Sequence, residues 1–289
     1  MAIELVEKFL PYVDEQFSTE SKKSLLTNQD FSWEGAHAVK VYKITTASMN
    51  DYGRTQAAEG TWSRYGSVEQ LSATTERMAL SKDRSFTFTI DKLDENETAQ
   101  QLAAASALAR QNREVVIPEI DTYTYGVMCS GAGHKPEAVA LTSDNIYSEI
   151  LKASTELDNA QVPETQRVLV VTPDTYQLLK KCKDITMETD VGNELRLKGV
   201  IGIIDGLTVQ KIPANRLPEN FGFMVAHPCA TVAPVKLEEY KIHQDPPGIS
   251  GALVEGRICY DAFVLENKKL AIYYQAIPAE IVPDPESKS

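Results

Sequence analysis

The 289-residue sequence predicts an α+β fold in which a two-stranded arm extends from a body of helices and strands. Two stretches, 38–45 (AVKVYKIT) and 84–91 (RSFTFTID), alternate apolar and polar side chains as half-buried strands do. The 37 residues between them, 47–83, are rich in Gly, Ser, Thr and charge, and so long a connection is uncommon inside one compact domain. We therefore predict that the two strands pair with each other and that the resulting ribbon packs on something outside itself.

The chain before the arm is predicted to form a short helix and a linker. Apolar residues recur at helical spacing over 3–17, Pro11 interrupts that pattern, and polar residues fill 18–30. We expect a short, kinked amphipathic helix followed by an irregular connection.

A long helix is predicted after the arm. Asp94 and Glu97 stand in capping-box spacing, and the alanine-rich run 99–110 has high helix propensity. The apolar pattern resumes after Pro118 and ends at 130–131, a Ser-Gly pair. Because proline interrupts helical hydrogen bonding, we expect one long helix that is bent at Pro118.

The rest of the chain mixes helices with strands. Thr142 or Ser143 is expected to cap a helix, and 172–173 (Thr-Pro) should start another, because proline suits the first helical position. Asp-Gly at 205–206 is a strong hairpin signal. Strands are expected at 167–171, 200–204, 207–212 and 221–226, and a closing hairpin at 256–265 and 269–275 that turns at 266–268.

The charge distribution argues against DNA binding as the task of the chain. The formal net charge is −12, whereas residues 31–90 carry seven basic and six acidic groups and are close to neutral. An acidic body repels phosphate groups, which disfavours sequence-specific or wrapping contact with DNA. No apolar run approaches the ~20 residues of a membrane span, and the N-terminus lacks the pattern of a signal peptide. We expect synthesis in the cytosol and no membrane contact.

No constellation of catalytic, cofactor-binding or metal-ligating residues is found in the sequence. The four histidines are scattered, and none of the four cysteines forms a CxxC pair. Gly126 and Gly131 have the spacing of a phosphate loop, but the lysine is missing and the segment ends a helix instead of preceding one. We predict that the chain is not an enzyme and that it uses no cofactor and no metal.

The candidates for contact with another molecule lie in the arm. Large aromatic side chains in a polar loop are candidate interface anchors. The alternative is that they pack within the loop, although so polar a loop can build little core of its own. The candidate inter-subunit residues are Trp33, Tyr52, Arg54, Trp62, Arg64 and Tyr65.

The order of parts resembles one known family over essentially the whole chain. The segments closest to it are AVKVYKI at 38–44, SFTFTID at 85–91, VVIPEIDTY at 115–123 and EGRICYDAFVLENKKLAIYYQ at 255–275. The chain resembles the major capsid (coat) protein of tailed phages, which has the Hong Kong 97-type fold. This resemblance implies a structural protein that self-assembles through hexamers and pentamers into an icosahedral shell around double-stranded phage DNA.

The resemblance also implies how the chain is divided. The expected parts are an N-arm at 1–30, an extended β-hairpin E-loop at 31–92, a peripheral domain with the spine helix and β-strands at 93–134 and 248–280, an axial domain at 135–247, and a tail at 281–289.

Two departures from the family pattern refine what the resemblance implies. Some members begin with a scaffolding segment that a protease removes, whereas here the N-arm starts at Met1, which implies a separate scaffolding protein or none. Other members link neighbours covalently through an E-loop lysine, but no lysine lies between Lys43 and Lys82, so a noncovalent shell is expected. The other implied partners are a portal and decoration proteins, with packaged DNA contacted non-specifically. The implied location is the virion capsid, assembled in the cytoplasm of a bacterial host.

Three alternatives stay open at this point. An encapsulin-like nanocompartment shares the fold but encloses enzymes instead of DNA. A soluble α/β enzyme with a β-arm would form a small oligomer and would carry a pocket of converging polar groups. A phage tail or decoration protein would form rings or tubes.

Overall fold

The computed structural model describes residues 21–28, 38–56, 62–92, 104–182 and 202–279. The chain divides into two compact units. We call residues Trp33–Leu80 the arm, and we call Ser81–Ser289 together with Met1–Ser32 the body. The amphipathic helix that the sequence predicts at 3–17 lies outside the described residues, as does the predicted capping box at Asp94 and Glu97.

The arm is a two-stranded antiparallel ribbon. Strand β1 (Ala38–Ile44) pairs with β2 (Ala73–Ala79), so that Ala38 lies opposite Ala79 and Ile44 opposite Ala73. The predicted strand at 38–45 is thus confirmed, but the prediction that it pairs with 84–91 is wrong. Strand β2 (ATTERMA) is mostly polar and lacks clean alternation, so its sequence gives no clear strand signal.

The predicted strand at 84–91 belongs to the body instead. It forms β3 (Lys82–Asp91) in a three-stranded antiparallel sheet of order β3-β10-β9, with β9 at Val235–Gln244 and β10 at Gly251–Tyr260. Phe86, Phe88 and Ile90 share one face, as their alternation predicts, and they pack with Ala252 and Val254 of β10. This apolar face needs a partner layer, which explains why β3 joins the body.

A continuous helical stretch covers that face of the sheet. It consists of α1 (Ala104–Gln111), a π-helical segment (Asn112–Val116) and α2 (Ile117–Gly131). The Ile117 N–H donates to the Asn112 carbonyl, five residues earlier. Pro118 has no N–H to donate, and the wider π turn before it lets the helix continue. One long helix is confirmed, and the irregularity at Pro118 is this π segment.

A mixed five-stranded sheet forms the rest of the body, in the order β12-β7-β4-β6-β5. Strands β4 and β6 are parallel and the other neighbours are antiparallel. These strands are β4 (Val168–Val171), β5 (Ile203–Ile204), β6 (Leu207–Lys211), β7 (Phe221–Ala226) and β12 (Ile272–Ala276). The short pair β8 (Thr231–Val232) and β11 (Phe263–Val264) stands apart from them.

Helices cover both faces of this sheet, which explains the unbroken apolar runs in β4 and β7. Val168 and Val170 face the core that includes Met128 of α2, whereas Leu169 and Val171 face the opposite core. That second core is closed by α3 (Ile146–Asn159) and α4 (Pro173–Lys181). A strand buried on both faces carries apolar side chains throughout instead of alternating.

Local signals in this part of the sequence are mostly confirmed. The Thr172 side chain accepts from the Thr175 N–H at 3.1 Å and caps α4, and Asp205 and Gly206 both take positive φ in the β5–β6 hairpin. Helix α3 begins at Ile146, later than predicted. Thr142 instead accepts from the Asn145 N–H at 3.3 Å in the turn before the helix.

The predicted closing hairpin is wrong. The segment Glu266–Ala271 forms a 3₁₀ helix and not a tight turn. Strand β10 pairs with β9 and β3, and β12 pairs with β7 of the other sheet. The four cysteines are free, with Cys129 and Cys182 buried and Cys229 and Cys259 half-buried. No helix among the described residues is long and apolar enough to cross a membrane.

Gly251, where β10 begins, is required by both conformation and space. Its φ is +136°, and a Cβ there would lie 2.1 Å from the Ile90 carbonyl oxygen. We expect Gly251→Ala to lower the free energy of unfolding by more than the matched change Gly248→Ala, which should cost about 1–2 kcal/mol. Gly248 also has positive φ but has open space around it. Urea unfolding of the two variants measures the difference, and equal midpoints would show that the backbone relaxes around the added methyl group.

Candidate inter-subunit surface on the arm

The ribbon of the arm continues beyond its two strands in the same register. Hydrogen bonds between the two chain segments, 45–53 and 64–72, continue from the ends of the strands to the tip. These run from the Thr45 N–H to the Ser72 carbonyl (3.0 Å), from Ser48 to Glu69, from the Asn50 side chain to the Ser67 carbonyl (3.4 Å), and from the Gly53 N–H to the Arg64 carbonyl (2.9 Å). At about 3.3 Å per residue, residues 38–53 reach roughly 50 Å.

Polar contacts hold this register where no regular strand is present. The Ser48 hydroxyl and N–H both donate to the Glu69 carboxylate, at 2.8 and 3.2 Å. These hydrogen bonds lower the pKa of the Glu69 carboxyl. Gly66 takes φ +89° directly beside Asn50, whose side chain would lie 2.4 Å from an added Cβ. The arm is therefore locally specified although it has little core.

The aromatic candidates gather at the tip. The Tyr52 and Tyr65 rings meet edge to face with centroids 5.0 Å apart, yet they stay 53% and 77% exposed. Trp62 is 86% exposed. The Arg64 guanidinium reaches the Arg54 carbonyl at 3.5 Å, so both arginines lie beside the aromatic pair. Packing within the loop therefore accounts for one ring contact but leaves most of the aromatic surface open. Trp33 lies outside the described residues.

Other apolar residues of the arm, which the sequence analysis did not single out, add to this surface. Eight of the fifteen exposed large apolar side chains among the described residues lie in the arm, which supplies under a fifth of those residues. Besides the three aromatic residues of the tip, they are Tyr42, Ile44, Met49, Val68 and Leu71. Sequence could have indicated Tyr42 and Ile44 as a pair, because they share one face of a strand with Lys40. Exposed apolar patches of this kind mark surfaces that bind other proteins.

Comparison with known proteins identifies the fold. No family model matches the sequence, and no curated protein matches it. Among solved structures, the capsid of cyanophage P-SCSP1u matches with a TM-score of 0.75 at 13% identity, covering 94% of this chain and 93% of that chain. The mature capsid of bacteriophage PhiM1 matches at 0.70 with 12% identity, covering 94% and 91%. This chain has the fold of tailed-phage capsid proteins.

A capsid-type fold also occurs outside phages. The virus-like particle from Pyrococcus furiosus matches with a TM-score of 0.54 at 13% identity, covering 88% of this chain and 92% of that chain. The phage capsid likenesses are stronger in both TM-score and coverage. All three of these solved structures come from assembled particles and not from enzymes.

Proposed function

We propose that this chain is the major capsid subunit of a tailed phage, which assembles through hexamers and pentamers into an icosahedral shell around double-stranded DNA. The observation that carries the proposal is the extent of the likeness. It spans 94% of this chain and 93% of a cyanophage capsid chain, so it is not restricted to one shared domain. The role is structural, with no catalytic step.

The described elements support a division of the chain into capsid parts. We assign the arm to the E-loop, proposed at 31–92, although β3 (Lys82–Asp91) at the end of that range lies in a sheet of the body. We assign the helical stretch 104–131 to the spine helix of a peripheral domain at 93–134 and 248–280. Residues 1–30 are the N-arm, 135–247 the axial domain and 281–289 the tail. Strand β12 pairs with β7, so a hydrogen-bonded sheet connects the proposed peripheral and axial parts.

The arm would act as a noncovalent clasp on a neighbouring subunit. Fully burying one large apolar side chain contributes roughly 1.5–3 kcal/mol, and the described residues of the arm present eight of them. With no lysine between Lys43 and Lys82, we assign shell stability to this burial and not to a covalent link. Trp33, Tyr52, Arg54, Trp62, Arg64 and Tyr65 remain the proposed contact residues.

The same proposal defines the partners and the location. A separate scaffolding protein, a portal and decoration proteins would complete the particle, which is assembled in the cytoplasm of a bacterial host. Packaged DNA would meet an acidic protein and would be contacted only non-specifically.

Expression of the chain followed by negative-stain microscopy tests the proposal. We expect closed shells of megadalton mass that release single 32.0 kDa chains on a denaturing gel. Small oligomers other than hexamers and pentamers would favour an enzyme, and long tubes would favour a tail protein. Particles from an infected host that hold enzymes and no DNA would support the second candidate, an encapsulin-like nanocompartment. The likeness to the Pyrococcus furiosus particle is the observation that favours this candidate.

A further inference from the structure

We propose that a groove on the body, between the long helix and strand β3, binds the segment 280–286 (EIVPDPE) of this chain. The groove encloses about 550 Å³ and lies wholly within the body. The proposal rests on the chemistry of the groove and of that segment, and it does not depend on shell assembly.

Three elements build the groove. The groove is lined by Lys82 and Arg84 of β3, by Pro118, Glu119, Thr122 and Tyr123 of α2, and by Tyr260 of β10. A second cavity of about 180 Å³ adjoins it past Arg84 and Tyr260 and is floored by Phe86 and Ile258. The two cavities together form a trough beside β3, an edge strand of its sheet in the part of the chain that the structure describes.

The aromatic walls are held in fixed positions. The Tyr123 hydroxyl donates to Asp261 at 2.7 Å, and the Tyr260 hydroxyl donates to Glu119 at 3.1 Å. The two rings meet edge to face with centroids 5.8 Å apart. Asp261 is fixed in turn by the Ser81 N–H and hydroxyl, both at 2.8 Å. Rigid, aromatic-lined grooves of this kind recognise extended proline-rich segments.

The groove is basic at its rim on a chain of net charge −12. The Lys82 ammonium lies 4.9 Å from the centroid of the Tyr123 ring, and among the described residues no carboxylate pairs with it. Arg84 binds Glu119 at 2.7 Å while its side chain stays largely exposed. A ligand for this site should therefore present carboxylates next to apolar, extended backbone.

The segment 280–286 has that composition. Pro283 and Pro285 restrict φ to about −65°, so the segment loses less conformational entropy than other sequences when it binds in an extended form. Asp284 and Glu286 flank Pro285, and their charge is opposite to that of Lys82. The main competing occupant is the exposed Trp62 side chain of another copy, which has the aromatic character but lacks the carboxylates.

Site-specific photo-crosslinking in the full-length chain tests the occupant. A benzophenone amino acid replaces Thr122, an exposed residue that lines the groove, and in the matched control it replaces Ser130, which is exposed on the same helix outside the groove. We expect mass spectrometry to find position 122, but not 130, joined to the peptide that contains 280–286. Mixing isotope-heavy and isotope-light copies separates a bond within one copy from a bond between copies, and either one supports the proposal. Crosslinks to the Trp62 peptide, or none above the control, would overturn it.

A charge reversal provides the second test. Lys82→Glu should reduce the crosslink yield by about tenfold, the effect of losing about 1.4 kcal/mol of binding. Adding Asp284→Lys should restore most of the yield. An unchanged yield in Lys82→Glu, with the far-ultraviolet circular dichroism spectrum retained, would rule out charge recognition. Particle formation is scored separately by microscopy, so failure of this proposal and failure of the capsid proposal give different results.

Discussion

Replacing Arg216 by methionine should lower the free energy of unfolding of the subunit by about 3–5 kcal/mol. The Arg216 guanidinium binds the Asp121 carboxylate at 3.0 Å, and the two residues are only 5% and 1% exposed. Breaking a buried pair leaves its partner charged in a medium that cannot solvate it. The Ser21 hydroxyl donates to the other oxygen of Asp121 at 2.6 Å, so the loss also weakens the anchor of the chain that leads to the arm.

The pair Arg257–Asp83 supplies a matched control for this prediction. Its atoms approach to 2.6 Å, closer than in the buried pair, but both side chains are about half exposed. Water and salt screen such a contact, so Arg257→Met should leave the urea midpoint of the unassembled subunit almost unchanged. Equal shifts in the two variants would mean that burial does not decide the strength of these pairs. The double change Asp121→Leu with Arg216→Met should recover much of the lost stability, because it removes both charges.

The sequence correctly predicted the positions of most strands and turns, but it did not predict which strands pair with each other. Alternation identifies the face of β3 that carries Phe86, Phe88 and Ile90, since a period of two fixes the side on which each residue points. Alternation carries no information on the partner strand. The partner of β3 is β10, more than 160 residues later, and only the apolar surface of the long helix brings the two together.

Polar strands were the second source of error. Strand β2 and the charged strand β9 (VKLEEYKIHQ) carry weak apolar patterns, so neither can be predicted from its own residues. Both are stabilised mainly by backbone pairing and by neighbours that are distant in sequence. Without β2 and β9, the sequence pattern predicted that β1 pairs with β3 and that β10 pairs with the chain that follows it. Both predicted pairings are wrong.

The candidate surface was easier to anticipate than the supports that fix it. Tyr52, Trp62 and Tyr65 are conspicuous in a polar loop, and the structure leaves all three exposed. The register that places Tyr52 against Tyr65 depends on contacts such as Ser48 with Glu69, which no motif indicates. The Asp121–Arg216 pair joins residues 95 positions apart, and neither residue is distinctive in its own segment.

Changing Tyr52, Trp62 and Tyr65 together to serine should abolish shells while leaving the subunit folded. Each of these side chains would contribute roughly 1.5–3 kcal/mol when it is buried against a neighbour. Every subunit in a closed shell would make this contact, so the loss of binding free energy repeats at each interface. The fraction of subunits assembled into shells should therefore fall by several orders of magnitude. Sedimentation velocity and negative-stain microscopy measure the loss of shells, and a retained urea midpoint shows that the body is intact.

The matched control changes three exposed apolar residues of the body, Ile203, Val235 and Leu270, to serine. Both triple variants remove apolar surface that is open in the single chain, so general effects on solubility should be similar. Only the arm variant should lose its shells, because the tip aromatics stand on a ribbon with too little core to bury them. Shells at normal yield from the arm variant would contradict the proposal that the arm acts as a clasp. That result would mean that the contacts between subunits lie on the body. Loss of shells in both variants would mean that the contact surface is spread over the whole subunit and is not concentrated at the tip.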